Sequence, residues 1–246
     1  HNCDFNDNEV KQYGGAIYSN VQTVNINRCH FINCKAFSDK EESRGGAIYL
    51  DRSLTRTLDY MEKNVFNLCE SYCGGALFIK DIDMDCIAQI LECNFSRCQS
   101  VKEGGAISNG EISTDGQESQ FDYNIFHLSF CLFLECESRS GGALFFQDGS
   151  KKSDEETKIL SCRFMNCFAS GGEGYAISCR SYKAEIDNNT FFNHNRTASD
   201  AVGVIVYLEF NDESLIKAIF DRNVFEDNFQ VSGLQINITK ASAHLT

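Results

Sequence analysis

The stretch CHFINCKAFSDKEESRGGAIYL, residues 29–50, contains both signatures that decide the fold of this chain. The first is a phenylalanine flanked at fixed distances by two small residues, as in Cys29, Phe31 and Cys34. The second is a glycine pair followed by alanine and an apolar residue, as in GGAI at residues 45–48. Both signatures recur along the chain, which indicates an internal repeat.

The repeat has a period of about 31 residues and occurs eight times. The phenylalanine signature lies at Cys3-Phe5-Asn8, Cys29-Phe31-Cys34, Asn64-Phe66-Cys69, Cys93-Phe95-Cys98, Cys131-Phe133-Cys136, Cys162-Phe164-Cys167, Asn189-Phe191-His194 and Asn223-Phe225-Asn228. Intact glycine pairs lie at Gly14-Gly15, Gly45-Gly46, Gly74-Gly75, Gly104-Gly105 and Gly141-Gly142, with degraded forms at Gly174-Tyr175-Ala176, Val202-Gly203-Val204 and Ser232-Gly233-Leu234.

Short β-strands account for these segments better than helices do. The segments are brief, rich in Ile, Phe and Tyr, and interrupted by glycine, whereas a helix would need apolar residues at a 3.6-residue period. A turn of about thirty residues has room for three strands, and stacked turns pair each strand in parallel with its copy about 4.8 Å away. We therefore predict an all-β fold, a right-handed parallel β-helix of about eight coils of roughly 30 residues, as a single domain over residues 1–246.

The glycine pairs predict corners, because a corner needs either positive φ or a close backbone approach. The apolar residues that follow each GGA alanine align from Ile17 to Ile205 and are predicted to point inward, with an exception in the last coil at Gln235. Polar stretches at 109–123 and 147–158 lie between this strand and the next phenylalanine signature. We predict that they form lateral loops, which carry function more often than the rungs do.

The composition is that of a folded, acidic chain. Its 246 residues are 42% hydrophobic and 23% charged. A net charge of -13 argues against a nucleic-acid partner, whose phosphates bind clustered Lys and Arg. No apolar stretch reaches the roughly 18 residues that span a bilayer, so we expect no membrane insertion by this segment. Because His1 begins no secretory signal, we expect a segment of a longer protein.

Ten of the thirteen cysteines fall into two columns of the repeat. The first column reads Cys3, Cys29, Asn64, Cys93, Cys131, Cys162, Asn189, Asn223, and the second reads Asn8, Cys34, Cys69, Cys98, Cys136, Cys167, His194, Asn228. Exchange between Cys and Asn fits a stacked ladder site, in which Asn hydrogen-bonds and Cys packs as a small hydrophobe. Disulfides, within a coil or between successive coils, stay open as an alternative.

Taken together, GGA before Ile or Leu and the F-x-x-N/C pattern resemble the repeats of polymorphic outer-membrane proteins. GGAIY at Gly14 and Gly45, CHFINC at Cys29 and CLFLEC at Cys131 are the best matches. The resemblance implies a β-helical ectodomain, extracellular or at the cell surface, of a kind commonly assigned to adhesion. The sequence departs from the pattern where Cys replaces the usual Asn and where the last three coils lose GGA.

Few residues outside the repeat are candidates for binding or modification. Asp81, Asp83 and Asp85 alternate along one strand, so their carboxylates share a face and could bind Ca²⁺, although a solvated outer face is the simpler explanation. No other cofactor is expected. Four sequons predict N-glycosylation, at Asn94, Asn188, Asn195 and Asn237.

We expect a structural or adhesive surface protein with no catalytic activity in this segment. One alternative is a pectate-lyase-like carbohydrate-active enzyme, which would need carboxylates in defined opposition across coils. Another is a carbohydrate-binding module that uses side chains on one flank. The expected partners are other protein subunits, or proteins and glycans of a cell surface, and end-to-end or homo-oligomeric assembly would cover exposed coil ends.

Overall fold

A computed structural model shows an all-β chain in which every strand pair of the described residues is parallel. It describes residues 1–21, 23–37, 43–52, 58–80, 86–109, 124–147, 157–180, 183–194, 203–210, 217–228 and 232–238. Successive coils add strands to the same four sheets, and neighbours within a sheet come from successive coils. This topology confirms the predicted parallel β-solenoid.

We name the four sheets by their position in the coil. The Phe sheet has eight strands: β1 (Asp4–Asn6), β5 (His30–Ile32), β9 (Val65–Asn67), β13 (Asn94–Ser96), β17 (Leu132–Leu134), β21 (Arg163–Met165), β25 (Thr190–Phe192) and β28 (Val224–Glu226). The Ser sheet comes next in each coil: β2 (Glu9–Val10), β6 (Lys35–Ala36), β10 (Glu70–Cys73), β14 (Gln99–Glu103), β18 (Glu137–Ser140) and β22 (Phe168–Glu173).

The remaining two sheets complete the coil. The Gly sheet follows the glycine pairs: β3 (Ile17–Ser19), β7 (Ile48–Asp51), β11 (Leu77–Lys80), β15 (Ile107–Asn109), β19 (Leu144–Gln147), β23 (Ile177–Arg180), β26 (Val204–Phe210) and β29 (Ser232–Ile238). The return sheet leads into the next phenylalanine signature: β4 (Asn25–Asn27), β8 (Leu58–Glu62), β12 (Cys86–Leu91), β16 (Asn124–Ser129), β20 (Thr157–Leu160), β24 (Lys183–Asp187) and β27 (Lys217–Asp221).

The expectation of three strands per coil was wrong, because a coil contributes to four sheets. Only Arg28 and Cys29 separate β4 from β5. Arg28 has a φ of 55°, which turns the chain sharply at a single residue. A stretch that looks like one continuous strand in the sequence is therefore divided between two sheets.

The signature phenylalanines form a continuous stack along the solenoid. The register pairs Phe5 with Phe31 and each later signature phenylalanine with its copy, up to Phe225. Ring centroids of successive coils lie 4.7 to 5.1 Å apart, with ring planes within 15° of parallel. The stack forms because the spacing of paired strands matches the stacking distance of aromatic rings.

The apolar column of the Gly sheet points into the core, as its alignment predicts. Ile48 and Leu77 belong to the main core cluster, together with the Cys columns and the phenylalanine stack. Their neighbours Tyr49 and Phe78 belong to a separate cluster on the other face of the same sheet. The strand alternation thus separates an inner apolar column from outward positions that carry Tyr49 and Phe78 in the second and third coils.

One detail of that column was wrong. Ile177 pairs with Val206 and not with Ile205, and Val206 pairs with Leu234. The seventh coil is offset by one residue from the alignment of its degraded glycine signature. With the offset included, the register reaches the last coil without the predicted exception at Gln235.

The two glycines of each pair have different roles at the corner. Gly74 has a φ of 63°, in the left-handed region that other residues adopt at a cost. Gly75 lies so close to the next coil that an added Cβ would overlap the carbonyl oxygen of Gly105. Positive φ at the first glycine and close approach at the second recur at the other intact pairs.

Candidate functional site

Sixteen described non-glycine residues with positive φ form two corners on either side of the Phe strands. Their φ angles lie between 49° and 58°, which few residues other than glycine adopt. The first corner is formed by Asn2, Arg28, Lys63, Glu92, Phe130, Ser161, Asn188 and Arg222, and the second by Asp7, Asn33, Leu68, Arg97, Glu135, Asn166, Asn193 and Asp227. Each immediately precedes a residue of the two Cys/Asn columns, whose side chains the corners direct inward.

Asparagine in the first column binds the corner of the preceding coil. Oδ1 of Asn64 accepts the backbone N–H of Cys29 at 2.9 Å, and its Nδ2 donates to the carbonyl of Ile26 at 2.7 Å. Asn189 makes the same two bonds to Cys162 and Ile159, both at 2.8 Å. A buried N–H at a corner, which no strand partner can reach, is satisfied in this way.

Cysteine makes the same contacts more weakly. Sγ of Cys93 lies 3.4 Å from the backbone N of Asn64 and accepts its hydrogen. Sγ of Cys131 donates to the carbonyl of Ile90 at 3.4 Å, at the position equivalent to that of Ile26. A thiol is both donor and acceptor, as a carboxamide is, and this explains why the two residues exchange within a column.

The second column follows the same principle at the other corner. Sγ of Cys69 donates to the carbonyl of Phe31 at 3.5 Å, and Nδ2 of Asn228 donates to the equivalent carbonyl of Phe191 at 2.8 Å. Sequence reasoning missed the hydrogen-bonding role of cysteine. The signal was present, because the columns exchange Cys with Asn and never with Ala or Val.

The cysteines whose side chains the structure describes are all free thiols. Burial, together with neighbouring Cys131, raises the pKa of Cys93 to about 12. Burial also raises the pKa of Cys98, Cys131 and Cys167 well above the ordinary thiol range. A buried neutral thiol is a poor nucleophile, so these side chains are suited to packing and hydrogen bonding.

Two of the four predicted glycosylation sites have described side chains, and both are exposed. Asn94 lies on the outer face of the Phe sheet, paired with Val65 and Leu132. Asn188 lies at a first corner, where its Nδ2 donates to Oγ of Ser161 at 2.9 Å. The side chains of Asn195 and Asn237, and the predicted calcium ligands Asp81, Asp83 and Asp85, lie outside the described residues.

An aromatic cluster covers part of the outer face of the Gly sheet. The ring of Tyr49 stacks on Tyr13 at 4.6 Å, on Tyr18 at 5.5 Å and on Phe78 at 5.7 Å between centroids. Tyr49 and Phe78 are buried, whereas Tyr18 is 51% exposed. Partial burial and the carboxylate of Asp51 raise the pKa of Tyr18. The cluster presents one open aromatic ring beside a carboxylate.

A polar hollow lies on the adjacent Ser sheet. It has a volume of about 190 Å³ and is lined by Glu70, Gln99, Ser100, Val101 and Glu137. The two glutamates belong to coils two rungs apart, about 9.6 Å by the strand spacing. That separation is at the wide limit for a carboxylate pair that cleaves a glycosidic bond, whereas an amide between two carboxylates suits the binding of hydroxyl groups.

The hollow and the aromatic cluster meet at one residue. Tyr72 shares the outward face of β10 with Glu70, which Lys35 contacts at 3.4 Å. The ring of Tyr72 also packs against the cluster of Tyr49 and Phe78. We call this continuous surface of coils one to five, formed by the hollow, Tyr72 and the aromatic cluster, the aromatic-acidic flank.

Neither a metal-binding cluster nor a membrane-spanning helix occurs in the described ranges. No group of three or more His, Cys, Asp or Glu side chains in that part of the chain is arranged to hold a metal ion. No described helix is long and apolar enough to cross a membrane.

The fold and the two Cys/Asn columns are those of a parallel β-solenoid, in which repeated side chains build the core and the corners. Residues 2–20 match the family model of the Chlamydia polymorphic membrane protein repeat. The match confirms the resemblance drawn from the GGA and phenylalanine signatures, and with the fold it supports a surface-protein role. Searches of the curated proteins and of the solved structures gave no significant match.

Proposed function

We propose that this chain is an extracellular β-helical rod that acts in adhesion and catalyses no reaction. The main support is that the repeated residues are occupied in building the core and the corners of the solenoid. The phenylalanines form the core stack, and the Cys and Asn side chains satisfy corner backbone groups, so the repeated part of each coil serves architecture. Binding specificity is then left to the outer faces.

Variation between coils supports this division. The residue before each signature phenylalanine faces outward, and it changes from His30 to Val65, Asn94, Leu132 and Arg163 along successive coils. A scaffold with fixed interior columns and variable outer positions can present different contact groups without loss of fold. This is the property that an adhesive surface needs.

The predicted glycans also belong on the outer faces of the coils. Asn94 points away from the core between the apolar side chains of Val65 and Leu132, where a glycan has room and would cover them. Mass spectrometry of the natively expressed protein is expected to find Asn94 modified. Unmodified asparagine at all four sequons in that material would remove glycosylation from the proposal.

Carbohydrate is the second ligand class that an observation favours. The aromatic-acidic flank places carboxylate, amide and hydroxyl groups beside an exposed aromatic ring. Sugars bind proteins through this combination, since their C–H faces stack on aromatic rings and their hydroxyls both donate and accept hydrogen bonds.

A glycan and polysaccharide panel tests both functions in one experiment. Wild-type protein is compared with Gln99→Ala and Tyr18→Ala on the flank, and with Arg163→Ala on the exposed Phe sheet as the matched control. We expect binding that the two flank variants weaken at least tenfold and the control leaves unchanged. Turnover of any polysaccharide would overturn the non-catalytic proposal, and equal loss in all three variants would exclude the flank as the ligand surface.

A further inference from the structure

His194 occupies a position of the second column that cysteine or asparagine fills in every other coil. Its ring is only 1% exposed, although imidazole is a titratable group. The neighbours in the column are Cys167 of the preceding coil and Asn228 of the following coil. The ring also lies against Phe191, with centroids 6.5 Å apart. An ionisable side chain has therefore replaced a neutral one inside the core.

The hydrogen bonds fix which ring nitrogen carries the proton. Nδ2 of Asn228 donates to the carbonyl of Phe191 at 2.8 Å, so its Oδ1 is the atom that faces His194. That oxygen accepts the backbone N–H of His194 at 2.7 Å and lies 3.1 Å from Nδ1. Nδ1 is therefore the protonated nitrogen. Nε2 is buried and has no hydrogen-bond partner.

A second proton would have to go to Nε2, where it would create a buried cation with an N–H that nothing accepts. The thiol of Cys167 is neutral because burial raises its pKa. Glu226 and Asp227, beside Asn228, are exposed, and no charged side chain in the described part of the chain offsets the burial of the ring. Burial lowers the pKa of His194 to about 4, from an ordinary value of 6.5.

His194 links the last two Phe strands, because it lies at the corner after β25 and its hydrogen-bond partner Asn228 lies at the equivalent corner after β28. The solenoid continues on one side of this contact through the six preceding Phe strands. A local loss of stability at this point can open the end of the solenoid without unfolding the other coils.

We propose that His194 is an acid-sensitive joint, at which protonation of the buried ring in mildly acidic solution releases the last two coils, those of β25 and β28, while the preceding coils stay folded. The sign of the pH dependence follows from the linkage between proton binding and folding. The folded coils hold the ring neutral, so their stability is complete above pH 6.5 and is lost as the pH falls from 6.5 towards 4. Over that interval the closing equilibrium constant is expected to fall about tenfold per pH unit, as for one proton.

Hydrogen exchange of the whole chain at pH 7 and pH 5, corrected for the intrinsic exchange rate, tests the joint. We expect the protection of β28 and β29 to fall at least tenfold at pH 5, with β9 and β13 unchanged. His194→Asn, which restores a residue of the column, should abolish that loss. His30→Asn, which removes an exposed histidine near Asp4, should leave it in place.

Equal loss of protection in wild type and His194→Asn, or simultaneous loss in β9 and β28, would overturn the proposal. If His194→Asn does not fold, an NMR titration of the wild-type ring provides the test instead. A ring that titrates near 6.5 while the last two coils stay protected would also overturn it, whereas protonation accompanied by loss of β28 protection would support it.

Discussion

At the residue scale, the unusual feature of this protein is the number of side chains held in the left-handed region. Asn and Asp adopt it with little penalty, but Leu68 and Phe130 do not, and the cost for such residues is about 1 kcal/mol each. The inter-coil ladder imposes the conformation, since the N–H of Phe130 donates to the carbonyl of Leu160 in the next coil. The corner is specified by stacking and tolerates residues with no local preference for it.

Phe130→Asn is therefore expected to stabilise the chain by about 0.5 to 1 kcal/mol. Phe130 is 66% exposed, so its replacement gives up little buried area. Asparagine already occupies the same corner at Asn188, where it also bonds Ser161. Urea unfolding measures the change, and Asn188→Phe is the matched reverse substitution. A destabilised Phe130→Asn together with an unaffected Asn188→Phe would show that the corner carries no conformational strain.

At the scale of the elements, the two columns link successive Phe strands in addition to the strand ladders. Their side chains reach corner N–H groups that β-pairing leaves unpaired, and they do so inside the core, where such a group costs about 1–3 kcal/mol when unsatisfied. Asn189 and Asn223 show the asparagine version of the contact between two adjacent coils, with Asn189 N and Nδ2 both 3.0 Å from Oδ1 of Asn223.

Cys93 distinguishes hydrogen bonding from simple packing. Its Sγ accepts from the backbone N of Asn64 at 3.4 Å and from its Nδ2 at 3.8 Å. Cys93→Val keeps an apolar side chain but removes the acceptor, and should cost about 1–3 kcal/mol. Cys93→Asn copies the Asn189–Asn223 pair and should stay within about 1 kcal/mol of the wild type. Thermal and urea unfolding measure both variants, and a more stable valine variant would show that cysteine acts here only as a small hydrophobe.

At the scale of the whole molecule, the solenoid is a row of equivalent coils, and each described strand pairs with strands of the coils next to it. Equivalent residues of two coils can then be joined directly, provided that corners and strand parity are kept. Leu91 and Leu160 both end a return strand and precede a first corner, which illustrates this equivalence.

Deletion of residues 92–129 should accordingly remove one coil and leave a folded protein. It joins Leu91 to Phe130, so one first-corner residue replaces another. Circular dichroism should keep its β signature, and the urea m-value should fall by about one coil's share of the buried surface. Deletion of residues 92–130, one residue longer, removes the corner and should unfold or aggregate. Equal behaviour of the two deletions would contradict a strict corner requirement.

Much of the fold follows from the sequence because it is repeated. The eight phenylalanine signatures and five glycine pairs predict parallel stacking, one strand column for each, and an inward aliphatic column. Substitutions in single coils do not hide the pattern, since eight copies of a position occupy the same environment. The exchange of Cys with Asn also marks the two buried columns in the amino-acid pattern itself.

The corners, the exact register and the side-chain hydrogen bonds were visible only in the tertiary structure, because they depend on contacts between coils. The left-handed corners at residues such as Arg28 have no local sequence signal, and they divide one apparent strand into two. The one-residue offset at Val206 appears only in the pairing register. The acceptor role of Cys93 and the unpartnered nitrogen of His194 likewise come from the neighbouring coil. The amino-acid pattern specifies the repeating unit, and stacking specifies how each unit turns, because a backbone group at a corner is satisfied by the neighbouring coil.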